Sequence, residues 1–302
     1  MGGKQMEIRI LRYFLAVVRE ESITKAAEVL HITQPTLSRQ LAQMEEELGV
    51  KLFDRGTRKI ALTNDGLLLR RRAEEILELV DKTERELSEQ DENIEGTVSV
   101  GCGDLKNVEL LPELFRTFHE RYPAVKFDLY TATADHIRDR MERGLTDIGL
   151  LMEPVSVEKY EFIRLNQKER WVVAMHPEAP LAALESITAQ DLLDKPLILP
   201  RRLNVQSELA NWFGDDFERL QILLTNDLPS NAAVMVHHHL DYSITIEGSL
   251  AFWDKEKIVY QPLSPELTAT SVLAWKRQQP FGLAATKFIE HVKKSLKSLN
   301  GQ

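Results

Sequence analysis

The chain has 302 residues, 43% apolar and 28% charged, with a net charge of −9 at neutral pH. That length allows two or three domains with cores of their own, and no apolar run approaches the roughly 18–20 residues of a membrane-crossing helix. A single cysteine, Cys102, excludes an internal disulfide and leaves too few thiols for a structural zinc site; the N-terminal Met-Gly-Gly-Lys-Gln-Met-Glu has no apolar h-region, so a cytoplasmic location is expected.

The charge is unevenly placed. Residues 1–63 carry ten Lys/Arg against eight Asp/Glu, residues 64–92 five against ten, and the remainder is acidic. Only the head has the sign that suits an approach to phosphates. Within it, Ile10, Phe14, Val17 and Val18 fall at helical spacing and predict a first amphipathic helix. Ser22 is placed to cap a second helix and Thr33 a third, with Pro35 in the third helix's first turn, where its missing N–H costs nothing. Ala26, Ala27, Leu30, Ile32, Leu37, Leu41 and Leu48 are the candidate core, the two alanines letting the helices cross closely. Gly49 ends the third helix.

Gln34, Thr36, Ser38 and Arg39 then project from the third helix, a set of side chains suited to base edges and phosphates in a major groove. After it, Lys51-Leu-Phe-Asp-Arg-Gly-Thr-Arg-Lys-Ile-Ala-Leu-Thr reads as a hairpin wing, with Arg55, Arg58 and Lys59 at its tip in reach of backbone phosphates or a narrow minor groove. A three-helix scaffold that binds protein is the competing reading.

The head resembles that of the LysR-type transcriptional regulators. Arg12-Tyr-Phe-Leu-Ala-Val, Ser22, Thr24, Ala26-Ala27, Leu30, Thr33-Gln34-Pro35, Leu37-Ser38-Arg39-Gln40, Glu45, Leu48-Gly49, Leu52-Phe53, Arg55, Leu62-Thr63 and Gly66 carry the resemblance. It implies that Gln34, Pro35, Ser38 and Arg39 enter the major groove while the wing arginine touches flanking backbone. The candidate DNA contacts are therefore Ser22, Thr33, Gln34, Pro35, Thr36, Ser38, Arg39, Arg55 and Arg58.

From Thr63 or Asn64, either of which can cap it, a helix is expected to run to about Glu92. Leu69, Ala73, Ile76, Val80, Thr83 and Leu87 recur at steps of four and three, a heptad seam for pairing with another helix. The alternative is one amphipathic helix lying on its own domain. The resemblance favours dimerisation through this linker, with two heads on two half-sites, and a dimer-of-dimers tetramer as the usual assembly.

Beyond residue 93, strands and helices alternate: strands at Thr97–Gly101, Val125–Thr131, Asp147–Met152 and Val272–Trp275, helices at Val108–Tyr122, Ile137–Arg143 and Gly282–Leu299, with further apolar runs at Trp171–Met175, Leu197–Leu199 and Leu220–Leu224. This predicts a parallel-rich α/β region. Leu111-Pro112, Phe115, Tyr122-Pro123 and Gly144-Leu-Thr-Asp-Ile-Gly fit the family's first subdomain. The resemblance implies two subdomains of periplasmic-binding-protein type, crossed twice, near Arg164 and Pro265. The expected organisation is a winged helix-turn-helix over 1–63, a linker helix over 64–92, and a regulatory region over 93–302, with one subdomain of 93–163 plus 268–302 and another of 164–267.

Ligands of such folds sit beyond the carboxyl ends of strands. The candidate effector contacts are accordingly Cys102, Gly103, Asp104 and Lys106, then Thr131 and Thr133, then Pro200, Arg201 and Arg202, with Asn226 and Glu247 as additions. Hydroxyls, free amides and arginine suit a carboxylate or another anion, whereas Asp104 opposes one, so the sign of the effector's charge stays open; Arg201 and Arg202 also read as solvated surface charges.

His237-His238-His239 cannot converge on one ion along a helix, where consecutive residues point about 100° apart, and a surface or helix-end role is expected; no metal or cofactor is expected elsewhere. Cys102 reads as a packed small hydrophobe rather than an oxidant sensor, since redox members of the family are expected to use a cysteine pair. There is no phosphate-binding glycine loop, His-Glu-x-x-His or Gly-x-Ser-x-Gly, so catalysis has no positive support. The reading is a DNA-binding regulator controlled by a small molecule, with double-stranded DNA, itself and RNA polymerase as partners and no membrane. The alternative is a cytoplasmic solute-binding or sensor protein without specific DNA binding.

Overall fold

The computed structural model describes residues 6–54, 60–88, 94–156, 158–240 and 242–300, the side chains at 85–88, 204 and 298–300 excepted. The chain divides into two compact units, Met1–Ser88 and Glu89–Gln302.

The first unit opens with α1 (Ile8–Glu20), α2 (Ile23–Val29) and α3 (Gln34–Leu48). α1 buries Ile10, Leu11, Phe14 and Val17, its one apolar stripe, and stops where Glu21 turns left-handed. Ser22 caps α2 by accepting the Lys25 N–H at 3.4 Å. Ala26 and Ala27 are fully covered, so the small residues do sit where helices meet. Thr33 occupies the cap position of α3 without a side-chain cap bond; its hydroxyl pairs with that of Thr36 at 2.8 Å instead. Gly49, at φ +73°, ends α3 in the left-handed conformation that glycine adopts freely.

Strands β1 (Phe53–Asp54) and β2 (Ala61–Leu62) pair antiparallel and form the base of the wing. Arg55, Arg58 and Lys59 lie outside the described residues. Helix α4 (Asn64–Ser88) follows. Thr63 caps it, its hydroxyl accepting the Gly66 N–H at 3.0 Å and donating to the Lys51 carbonyl at 2.6 Å. Gly66 is required by packing: a Cβ there would stand 2.2 Å from the Leu52 carbonyl oxygen.

The expected heptad seam is not one surface. Ala73 is completely buried in the head's own core beside Leu77, and Leu69 packs against the same cluster. A four-three spacing marks a buried helix face whether the partner is another chain or the rest of the domain, and here the domain takes part of it. Ile76 and Thr83 are exposed, Val80 is half-buried, and the Leu87 side chain lies outside the description. Among the described residues of α4, the apolar ones left uncovered are Leu67, Leu68, Ile76 and Leu79.

The second unit runs β3 (Gly96–Cys102), α5 (Leu111–Arg121), β4 (Val125–Thr131), α6 (Ala134–Glu142), β5 (Ile148–Met152), β6 (Tyr160–Arg164), β7 (Glu169–Met175), α7 (Ala189–Leu192), β8 (Pro196–Pro200), α8 (Leu203–Phe213), β9 (Gln221–Asn226), α9 (Pro229–His237), β10 (Tyr242–Ile246), β11 (Val259–Pro262), β12 (Thr268–Ala269), β13 (Ser271–Lys276) and α10 (Leu283–Asn300). A single-turn 3-10 segment, Lys106–Leu110, precedes α5, so the helix expected from Val108 begins three residues later.

Two sheets result, ordered β4-β3-β5-β13-β6 and β11-β7-β10-β8-β9, with β12 also on β7. They are mixed rather than parallel-rich. β3 is parallel to β4 and β5, and β8 to β9 and β10, but β13 runs antiparallel to β5 and β6, and β7 antiparallel to β10, β11 and β12. The strands that return from the other sheet enter from the opposite end, which reverses their direction. β6 keeps Arg164 in the first sheet, paired with Val272, and β12 keeps Thr268 and Ala269 in the second, so the chain passes between sheets at 165–168 and again at Thr270. β6, β10 and β11 are strands of four or five residues that the sequence reading passed over, segments too short for periodicity to identify.

Where these passages lie side by side, Glu169 is fully buried. Its carboxylate accepts the backbone N–H of Lys106 (2.9 Å) and Asn107 (3.2 Å), the Asn107 amide (3.0 Å) and the Ser271 hydroxyl (3.3 Å). A buried carboxylate is tolerated only with such a full complement of donors. It joins the loop after β3 to the first residues of β7 and β13.

Candidate functional site

Helix α3 turns two unlike faces outward and inward. Leu37 and Leu41 are buried under α1, while Gln34, Pro35, Thr36 and Arg39 are exposed and Ser38 half-exposed. Ser22 and Thr33 flank this face, Ser22 half-covered because its oxygen is used as a cap. The DNA candidates of the described residues thus cluster at the start of one helix, with their polar groups in water.

What holds that face relative to the wing is Glu45. Its side chain is only 1% exposed, and its carboxylate accepts the N–H groups of Leu52 (2.7 Å) and Phe53 (3.2 Å), with the Lys51 ammonium at 3.4 Å. Burial works to raise its pKa, but the backbone donors and Lys51 outweigh it and hold the carboxyl below its usual range. Glu45 matters here as a positioning group, not as a contact, and a buried acid on a helix gives no sequence signal of its own.

The ligand candidate is a cleft of about 670 Å³, its open mouth included, between the two sheets of the second unit. It lies at the carboxyl ends of β3, β4, β5, β8, β9 and β10, as expected for α/β sheets. Gly103, Asp104, Thr133, Pro200, Arg201, Arg202 and Asn226 of the expected contacts line it. Cys102, Thr131 and Glu247 do not. Cys102 is buried in the first sheet's core, its thiol pushed up by burial, and so is poorly suited to sensing oxidants. Thr131 is exposed at the end of β4, and Lys106 is turned toward Glu169 by its backbone. Glu247 is engaged elsewhere, accepting two bonds from Arg170 at 2.9 and 3.1 Å and one from the Tyr260 hydroxyl at 3.0 Å.

Apolar residues make up the floor that sequence reasoning missed, notably Leu105, Leu150, Met152, Trp171, Val205 and Ile246. They come from separate segments, and each reads in sequence as ordinary core. Two polar groups are left without partners there: the indole N–H of Trp171 and the side-chain oxygen of Asn226. Asp104 is half-buried, and burial raises its carboxyl above the usual range.

Both cleft arginines are already paired. Arg201, exposed, meets Asp227 at 3.2 Å. Arg202, whose side chain is 15% exposed, meets Asp135 at 3.1 Å across the cleft, from the start of α8 to the first turn of α6; Asp135 also binds Arg138. Burial tends to raise the Asp135 carboxyl, and the two guanidinium groups reverse that and lower it.

A family profile described as the bacterial regulatory helix-turn-helix protein, lysR family, matches residues 8–67, and one described as the LysR substrate binding domain matches residues 91–297. The HTH-type transcriptional regulator BsdA of Bacillus subtilis is 34% identical over 72% of this chain and 74% of its own length. BenM of Acinetobacter baylyi, another HTH-type transcriptional regulator, is 32% identical over 70% of each chain. Among solved structures, full-length CbnR complexed with its target DNA is similar in fold, with a TM-score of 0.72 at 23% identity over 96% of this chain and 100% of that one.

Proposed function

We propose a division of labour among the residues of this chain from the premise that it belongs to the LysR family of bacterial transcription regulators. It is a sequence-specific DNA-binding regulator whose activity answers to a small molecule held in its C-terminal region. Gln34, Thr36, Ser38 and Arg39 read base edges, with Pro35 beside them in the major groove, Ser22 and Thr33 against the adjoining backbone, and Arg55 and Arg58 of the wing on flanking phosphates. The exposed polar face of α3 over a buried Leu37–Leu41 face carries this reading. No catalytic step is needed, and the cytoplasm, where the promoter is, is the place of action.

Selection of genome fragments by the purified protein, followed by binding measurements on the recovered site, tests it. Arg39→Ala is expected to weaken specific binding by about 1–3 kcal/mol if the guanidinium makes a bidentate base contact, with the fold unchanged. Equal affinity for specific and random DNA in the parent protein overturns the reading; an unchanged Arg39→Ala affinity removes that residue from it.

In the cleft, the effector is a compact molecule with an apolar body and an acceptor for the unpaired Trp171 N–H. An anionic group has to displace Asp135 from Arg202, which ties anion binding to opening of that bridge between the subdomains. The effector shifts the protein only by its different affinity for the two arrangements. Dimerisation uses the uncovered face of α4, Leu68, Ile76 and Leu79, rather than Ala73. Leu79→Glu is expected to lower the sedimentation coefficient; dimers of dimers and contact with RNA polymerase complete the proposed scheme.

A further inference from the structure

The three consecutive histidines do not converge on one another, but one of them meets residues from far earlier in the chain. His239 follows the end of α9 in the left-handed conformation, φ +61°. The turn is closed by the His239 N–H donating to the Val236 carbonyl (3.0 Å) and the Leu240 N–H to that of Met235 (2.9 Å). β10 begins just beyond and runs antiparallel to β7, with Ser243 opposite Ala174. The turn before β10 is therefore delivered to the end of β7. There the His239 ring lies 3.9 Å from that of His176, centroid to centroid. Glu178, two residues after His176, brings its carboxylate to 3.8 Å from His176 Nδ1.

We propose that His176, Glu178 and His239 form a binding site for a divalent transition-metal cation of the zinc type. Their potential ligand atoms all lie within 4.8 Å of one another. A cation at the centre of such a triangle is at most about 2.8 Å from each, against bonds of about 2.0–2.2 Å to imidazole nitrogen and carboxylate oxygen. Glu178 and His239 are exposed, so small rotamer changes close that gap without disturbing the core. Two imidazoles with one carboxylate suit zinc and its neighbours rather than magnesium or calcium, which prefer oxygen alone.

The Glu178 backbone N–H donates to His176 Nδ1 at 3.2 Å, which selects the neutral tautomer with a bare lone pair at that nitrogen. The cation takes that lone pair, and water takes over the released amide. The third ring of the vicinity, His237, stands 6.3 Å from His176 and its buried Nδ1 has no partner. The site lies at the opposite end of β7 from Trp171 in the ligand cleft. A cation there would brace β7 against the α9–β10 turn, and its binding requires neither DNA nor effector.

Zinc titration of the full chain, free of any affinity tag, tests the site, read by calorimetry and by competition with a chromophoric chelator at neutral pH. One zinc per chain is expected, with release of protons when the solution is acid enough to protonate imidazole. His239→Gln and Glu178→Gln are each expected to weaken binding at least about tenfold, and His238→Gln to leave it unchanged. Cobalt in place of zinc should give the visible absorption of a low-coordinate nitrogen–oxygen site, lost in the same two variants. Absence of zinc binding at micromolar concentration, undiminished binding in His239→Gln and Glu178→Gln, or an equal loss in His238→Gln would each overturn the assignment. Circular dichroism of the variants separates loss of ligand from loss of fold.

Discussion

In the head, Gln34, Thr36, Ser38 and Arg39 come from six consecutive residues on one helix, whereas the cleft draws its lining from segments as far apart as Gly103 and Ile246. The head's polar face is free in water, and its supports, Leu37, Leu41 and Glu45, are buried. The cleft has no such separation. Trp171 and Leu150 are at once ligand surface and sheet core, and the Arg202–Asp135 pair is at once cleft wall and bridge between subdomains. Apart from Ser22, whose oxygen also caps α2, a contact residue of the head can therefore be changed without touching stability, while almost any change in the cleft alters both.

The two regions can be followed separately, because Trp171, Trp212, Trp253 and Trp275 all lie in the second unit. The largest expected effect is that of Glu169→Ala. Removing a buried carboxylate takes the acceptor from the Lys106 and Asn107 backbone N–H groups and the Ser271 hydroxyl, while the Asn107 amide keeps the Gln167 carbonyl, and should cost about 3–5 kcal/mol. It should lower the tryptophan-fluorescence midpoint in urea while the head retains its helical signal; a shift within about a few tenths of a kcal/mol, the error of the extrapolation, would refute the role of this junction. Gly66→Ala should act only on the head, by about 1–3 kcal/mol, because the new methyl meets the Leu52 carbonyl. Circular dichroism should show an early transition that fluorescence does not, and coincident transitions would break the separation between the units.

Glu45→Gln sharpens the comparison through pH. The folded carboxyl sits below its unfolded value of about 4.3, so its charge stabilises the head fully above that pH and ceases to do so as pH falls through the folded value. The variant is expected to lose about 1–2 kcal/mol at pH 7, with the difference from the parent narrowing under acid. A difference independent of pH would assign the effect to packing. The smallest change is Ser22→Ala, about 1 kcal/mol from the lost cap of α2, again without a fluorescence change.

The head was legible because its signals are short-range. A cap at Ser22, small residues at Ala26 and Ala27, Pro35 in a first turn and Gly49 at a helix end each act within a few residues, and all fall where they were placed. Spacing misled at Ala73, since a periodic apolar stripe says that a helix face is covered but not by what. Of the cleft, the loops after β3, β4, β8 and β9 were foreseen, but Cys102, Thr131 and Glu247 were assigned to it on sequence position and belong elsewhere. Direction along a strand places a residue near the cleft; which side of the sheet it faces, and who its partner is, decides whether it enters.

Local sequence determined the helices of the head, the polar face of α3 and the alternation of strands and helices beyond residue 93. These depend on propensity, capping and hydrophobic period, which act over a few residues. Tertiary structure alone decided the mixed sheets, the burial of Glu169 and Glu45, the pairing of Arg202 with Asp135, and the meeting of His176 with His239. Each joins residues distant in the chain, and only the closure of the intervening loops, set by strand pairing and core packing, brings them together.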